Sequence, residues 1–360
     1  MSLTADRAPR EAAADPRWKT SRLMTASLAI AILTTGLISL WWGTGSVRMS
    51  PTRVWTALTD EDAVFRIEAV AAEARLVRVV MGILVGASLA SAGAMLQSLY
   101  RNPLASPQIT GVTQGSVVAV VMWLLYGPNS ESTWVLPLVG ALGGVGTGLL
   151  TYGISKLGGR VDPLRLILVG VLLGGLLSSM TALVLISADG AGLDLISWTV
   201  GSLQSASWSR IRLLAIALLL CIPLILLAIP YGNALNLGEE IAHGAGVSVN
   251  RGRGIVLLAA ASITAASVSL VGGIGFIGLV APHIVRRWTG ADLRRLVPNS
   301  ALSGALLVLL ADFASRNLRP RDVASALGVA EEVAPTALPT GIFLALIGAP
   351  FFIHLLRRTP

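Results

Sequence analysis

The sequence predicts an all-α fold: one membrane-embedded domain of about ten transmembrane helices. Three observations carry that prediction. Of 360 residues, 54% are hydrophobic and only 13% charged, with a mean hydropathy of +0.75, whereas about a quarter of a soluble domain is charged. The apolar residues fall into ten runs, several near the roughly 20 residues a helix needs to cross a hydrocarbon core. The 38 glycines are too many for a soluble helical protein but suit membrane helices whose backbones approach closely.

Residues 1–22 are polar and Arg-rich and are expected to form a cytoplasmic tail; residues 23–358 form the single membrane domain. The first run, 23–42, ends at Trp41 and Trp42, where an interfacial aromatic belt belongs. No small-x-small cleavage site follows, so the expectation is a retained helix and not a signal peptide. Gly43 to Ala74 is an outer connection with room for a short surface helix. The second run, 76–100, opens with Arg75 and Arg78 at i and i+3 and carries no charge from there to Leu99. Inside it Gly82, Gly86, Ala90, Ala94 and Ser98 recur every fourth residue. That face of small side chains predicts a close helix–helix contact. Arg101-Asn102-Pro103-Leu104 closes the run.

The next runs are 111–126, 134–155 and 165–187. The last of these places Gly170, Gly174, Ser178 and Thr181 at four- and three-residue spacing. This face either lines a pathway or packs on a neighbour. Ala188 to Ser209 is an outer connection with Leu193, Ile196, Trp198 and Leu203 on a mixed face. After the run 211–230, the inner segment 231–253 contains Leu237-Gly238-Glu239-Glu240-Ile241-Ala242. Glu239 and Glu240 suit the first turn of a short helix, where carboxylates meet the positive end of the helix dipole. Gly246 is a natural left-handed stop for it. The runs 254–271 and 274–288 are separated only by Gly272-Gly273, which predicts a tight reversal with one arm partly re-entrant. The run 298–317, the polar connector 318–338 with Glu331 and Glu332, and the run 339–356 complete the chain.

Orientation follows from the basic residues. With the N-terminus in the cytoplasm, seventeen of the 27 Lys and Arg fall in inner segments and ten in outer ones. An even number of spans then places the C-terminus inside as well, in the plasma membrane. The net charge of +8 is spread over short loops, so topology explains it and nucleic-acid binding does not.

Several activities are excluded or disfavoured. Cys221 is alone, which rules out an intrachain disulfide and a Cys-based metal centre. His243, His283 and His354 lie in separate segments with no adjoining acid pair, against a zinc site. The two lysines, Lys19 and Lys156, are not in a P-loop, so the chain cannot hydrolyse ATP in the Walker manner. Gly273-Ile274-Gly275-Phe276-Ile277-Gly278 fits G-x-G-x-x-G, but apolar helices flank it, which favours a glycine-bent membrane turn over a nucleotide site. No acid sits at mid-span, as a proton-coupled carrier would require. Asp312 lies toward the outer end of its run and is expected to pair with Arg316, four residues on. No convergent acid, base and nucleophile set suggests an enzyme.

Several motifs, in order, resemble one family. They are Arg75-Leu-x-Arg78, the small-residue run to Gly93, Arg101-Asn-Pro-Leu-Ala105, Gly111-Val-x-x-Gly115, Trp198-x-x-Gly201-Ser-Leu203, Leu237-Gly-Glu-Glu-x-Ala242, Gly273-x-Gly-Phe-x-Gly-Leu-x-x-Pro-His283, Ala311-Asp312 and Gly348-Ala-Pro-Phe-Phe352. Together they resemble the FecCD-type permeases of ABC importers for iron-siderophores, haem and cobalamin, from about Arg75 to Arg358. The resemblance implies a non-enzymatic transport subunit that binds no cofactor of its own, ATP and Mg being used by a separate ATPase. It implies a ferric siderophore as cargo, a second permease subunit, ABC ATPase subunits and an extracytoplasmic binding protein as partners. By the same resemblance Gly238, Glu239, Glu240, Ala242 and Gly246 belong to the helix that docks on the ATPase, and Arg75, Arg78 and Arg316 receive acids of the binding protein. Two departures stand out: Ala245 replaces a more usual Leu, and Ala337-Leu338-Pro339-Thr340-Gly341 lacks the family's Glu. The competing reading is a secondary transporter or channel not coupled to an ATPase.

Overall fold

The computed structural model describes residues 16–42, 50–59, 67–128, 134–157, 159, 161–187, 199–317 and 339–358. Most of the expected N-terminal tail, Trp198 and the 318–338 connector lie outside these residues. The described residues form α1 (Pro16–Trp41), α2 (Pro51–Thr59), α3 (Ile67–Tyr100), α4 (Val112–Tyr126), α5 (Val135–Lys156), α6 (Pro163–Ser187), α7 (Trp208–Leu237), α8 (Glu239–Gly244), α9 (Val249–Val271), α10 (Ile277–Thr289), α11 (Leu293–Asn317) and α12 (Thr340–Arg358). Each of the ten apolar runs is a helix, and α2 is the short helix expected in the first outer connection.

Among the described residues, seven helices are long and apolar enough to cross a membrane: α1, α3, α5, α6, α7, α9 and α11. Of the other three, α4 and α10 are short. The 15 residues of α4 and 13 of α10 reach only part of the way at about 1.5 Å per residue. The chain reaches their depth by non-helical segments.

The longest rod among the described residues, α3, begins at Ile67, well before the apolar run, and its first turns carry Glu68 and Glu73. With α9 it forms the centre: 78% of the apolar window of each is buried, against 17% for α1, α6 and α7. The stripe of small residues explains why α3 can be central. A Cβ on Gly86 would lie 2.3 Å from the Gly304 carbonyl oxygen, and one on Gly304 would lie 2.3 Å from that of Gly86. Backbone therefore rests on backbone where α3 crosses α11. Ala90 abuts Gly304, Gly82 lies under Leu203, Leu309 and Val308, and Ala94 is fully buried. Gly82, Gly86 and Ala90 thus lie against α11, while Ser98 meets Asn236 of α7.

Polar ties fix the helix directions. The start of α1 meets the start of α11: Asn299 donates to Ser21 at 3.1 Å, and Thr25 bonds Asn299 at 3.0 Å. The end of α1 meets the end of α11 and the beginning of α3: Arg316 donates to Ser39, and Arg75 to the Leu40 carbonyl at 3.0 Å. Thus α1 and α11 run parallel, and α3 runs against both.

The reversal expected at Gly272-Gly273 is present but longer, residues 272–276. It lies inside the bundle, and α10 then runs back along α3 and α11, with Gly278 pressed between Leu89 and Gly93 of α3 and Pro107.

Candidate functional site

Two non-helical segments meet inside the helix bundle. The first follows α3, which a left-handed Arg101 (φ 49°) terminates. The Asn102 and Arg101 amides donate to the Gln97 and Ser98 carbonyls at 3.2 and 3.3 Å, a Schellman closure. The Asn102 side chain then accepts from the Leu104 amide at 2.9 Å, and Pro103 and Pro107 keep the chain from re-entering a helix. A single 3₁₀ turn, Pro107–Thr110, leads to left-handed Gly111 and α4. The second segment is 272–276. Pro107 seats on Gly278, and the Gln108 amide covers the backbone of Gly275. Irregular backbone survives at membrane depth only where protein buries it or a polar cavity hydrates it. Here each break covers the other.

Beside this junction lies a cavity of about 290 Å³, lined by Gln108, Thr113, Gln114, Val117, Thr199 and Gly273, and by Ser178, Thr181, Ala182 and Leu185 of α6. Its lining offers hydroxyls and amides and no charge. The Gln114 Oε1 is buried without a hydrogen-bond partner among the described residues. Uncharged groups of this kind can exchange hydrogen bonds with an oxygen-rich solute and still release it.

The four α6 residues divide. Gly170 packs on the 3₁₀ turn, where an added Cβ would fall 2.4 Å from the Ile109 carbonyl oxygen, and Gly174 packs on Gly111. Ser178 and Thr181, further along, line the cavity. The face thus packs at its first two positions and borders the cavity at the other two. The sequence reading missed Gln108, Thr113, Gln114 and Thr199. The available signal was Asn102-Pro103 to Gly111, a polar, Pro-punctuated stretch between two apolar runs.

At its end α7 passes into α8 through Gly238. Ala242 is buried, while Leu237 and Ile241 are exposed apolar side chains. Glu239 pairs with Arg253 of α9, and the same guanidinium donates to the Val161 carbonyl before α6. One buried arginine thereby ties α8, α9 and the α5–α6 turn. The stop at Gly246 is a Schellman motif: φ is +76°, and the Val247 and Gly246 amides donate to the Ala242 and His243 carbonyls, each at 2.9 Å.

Near the start of α3, Asp312 of α11 is 1% exposed and stands between two guanidinium groups. Arg78 approaches its Oδ1 at 2.6 Å and Arg316 its Oδ2 at 3.0 Å. Thr340 of α12 also donates to Oδ1, at 3.4 Å. The pairing of Asp312 with Arg316 was legible; that of Arg78 was not. With Arg75, which donates to the Leu40 carbonyl, the described cluster brings three arginines around Asp312. His283, in the interior of α10, packs edge-on against Phe351 with ring centroids 5.7 Å apart.

A model of the FecCD transport family matches residues 29–358. The Fe(3+)-citrate import system permease protein YfmE of Bacillus subtilis is 36% identical over 94% of this chain and 96% of its own length. The Fe(3+) dicitrate transport system permease protein FecD of Escherichia coli is 38% identical over 84% of this chain and 90% of its own. The Iron(3+)-hydroxamate import system permease protein FhuG of Bacillus subtilis is 36% identical over 81% and 85%. A solved metal-chelate type ABC transporter in an inward-facing conformation superposes with a TM-score of 0.75 at 29% identity, over 94% of this chain and 99% of that one.

Proposed function

The chain belongs to the FecCD transport family, and from that premise we propose that it is the membrane-spanning permease of an ATP-driven importer for ferric chelates. Its cargo is a ferric siderophore or an iron–citrate complex. It works with a second permease subunit, ABC ATPase subunits and an extracytoplasmic binding protein, in the plasma membrane, with both termini in the cytoplasm. ATP and Mg are used by the ATPase; this chain binds no cofactor.

The observation that carries the reading is the connection between α8 and the cavity. The end of α7 and α8 present Leu237 and Ile241 outward, as a docking surface does, and Arg253 fixes α8 to the foot of α9. α9 is a 23-residue rod, about 35 Å long at 1.5 Å per residue. Its far end is the 272–276 break, where Gly273 lines the cavity. A displacement of α8 by a closing ATPase reaches the cavity wall through one rigid element, a rigid-body transition. Gly238, Glu239, Glu240, Ala242 and Gly246 form and hold the coupling helix; Ser178 and Thr181 line the path. Arg75, Arg78 and Arg316 form the cationic rim that meets the binding protein, Asp312 holding two of them in place.

The test is uptake of ⁵⁵Fe-labelled citrate and hydroxamate chelates into vesicles containing the chain and its genomic neighbours. ATP-dependent uptake that requires the ATPase and the binding protein is expected. Uptake by the chain alone, driven by a proton or ion gradient, would establish the secondary transporter or channel instead.

A further inference from the structure

A second cavity, also of about 290 Å³, lies between α5 and α9, lined by Gly148, Leu149, Tyr152, Arg251, Gly254, Ile255, Leu257, Leu258 and Ala261. The pathway does not use it. Its wall is apolar except at one end. There Tyr152 donates its hydroxyl to the Asn250 carbonyl at 3.0 Å, which leaves Arg251, exposed in the first turn of α9, as the charged lining residue. Lys156, exposed in the last turn of α5, adds a second cation on the same side of the membrane.

The dimensions match one leaflet. From Arg251 to Ala261 the groove follows α9 for about 15 Å at 1.5 Å per residue, half of a hydrocarbon core about 30 Å thick. It runs from the inner interface to the bilayer centre. Two glycines bring its walls together: Gly254 packs on the Tyr152 ring and Gly148 on Ala261. A covering protein helix would need apolar contact along its whole length and no charge at one end. A lipid needs an apolar channel one leaflet deep with a cation at the headgroup.

We propose that this groove binds one acyl chain of an anionic glycerophospholipid of the inner leaflet, with its phosphate at Arg251. The site adjoins Arg253, which ties down α8, so an occupied groove braces the foot of α9.

The test uses the full-length chain, purified in detergent and delipidated, with native mass spectrometry during titration by phosphatidylglycerol or phosphatidylcholine. The wild-type chain is expected to take up phosphatidylglycerol in preference. Arg251→Gln should weaken that binding about fivefold, the electrostatic contribution of one basic residue near a membrane surface, and bring it level with phosphatidylcholine. Leu258→Trp, which fills the groove, should weaken both lipids. Arg251 is exposed, so its replacement does not threaten folding and carries the test even if the tryptophan variant fails to fold. Equal binding of both lipids by wild type, or a preference that survives Arg251→Gln, would overturn the proposal. So would disulfide cross-linking between copies carrying Leu258→Cys in a Cys221→Ser background, which would show a protein covering the groove.

Discussion

The crossing of α3 and α11 at Gly86 and Gly304 can be tested quantitatively. Replacing Gly86 by Ala places a methyl 2.3 Å from the Gly304 carbonyl oxygen, 2.6 Å from its carbonyl carbon and 2.7 Å from the Ala305 Cα. All three are backbone atoms, so no side chain can swing away and the helices must separate by about 1 Å. A gap of that size forfeits roughly a quarter to a half of the dispersion energy of the atoms involved. Overpacking of this kind costs about 1–3 kcal/mol, and Gly86→Leu should reach or exceed the upper figure. The reciprocal geometry adds a sharper expectation. Gly304→Ala meets the Gly86 carbonyl oxygen at the same 2.3 Å, so either change forces the same separation. The double alanine variant should therefore cost less than the two single variants together, by at least about 0.5 kcal/mol of coupling. The assay is denaturant or thermal unfolding of the purified protein in one detergent. Gly153→Ala is the control, since a Cβ there meets nothing within 4 Å. Wild-type stability of Gly86→Ala, or strict additivity with Gly304→Ala, would refute the backbone contact.

Three further outcomes are expected. Gly246→Val meets no neighbour within 4 Å yet must hold φ near +76°, which costs a branched residue about 1–2 kcal/mol; α8 should lose its stop, and ATP hydrolysis in a reconstituted importer should continue with reduced chelate uptake. Asp312→Asn removes the charge between Arg78 and Arg316 and should destabilise the protein by about 3 kcal/mol, the lower part of the range for a broken buried pair, since both arginines keep some solvent access; an unfolding midpoint equal to wild type would count against the tie. Loss of Arg75 and Arg78 together should weaken the binding protein's affinity by about 1–3 kcal/mol at low salt and by less at high salt, and unchanged affinity at both would assign these arginines to holding α1, α3 and α11 together.

The helices were legible because lipid imposes two strict requirements: apolar side chains and internally satisfied backbone. Both leave local marks, so the ten runs and the stop at Gly246 could be read directly. What local pattern does not encode is which elements meet. The stripe on α3 announced a close contact, but Gly304 stands in Ser303-Gly304-Ala305 without a repeat to mark it as the partner. Asp312 and Arg316 are one helical turn apart and were paired on sight; Arg78 is 234 residues away, and nothing near either residue points to the other.

The cavity shows how far the same physics extends. Each break is visible as punctuation, Pro103, Pro107 and Gly111 in one and Gly272, Gly273 and Gly275 in the other. Taken singly, each looks like a turn at a membrane surface. Yet both are too close to short helices for that. α4 and α10 have 15 and 13 residues, and a helix of that length reaches the membrane surface at one end only. The other end must stop within the hydrocarbon, where its unpaired backbone groups need polar company. Two half-length helices in one chain therefore predict that their interior ends lie together. The Gln108 amide over Gly275, and Pro107 on Gly278, are where that requirement is met. A polar cavity beside them follows from the same requirement, because the backbone and side-chain groups that cover the breaks are the ones that can also face a solute.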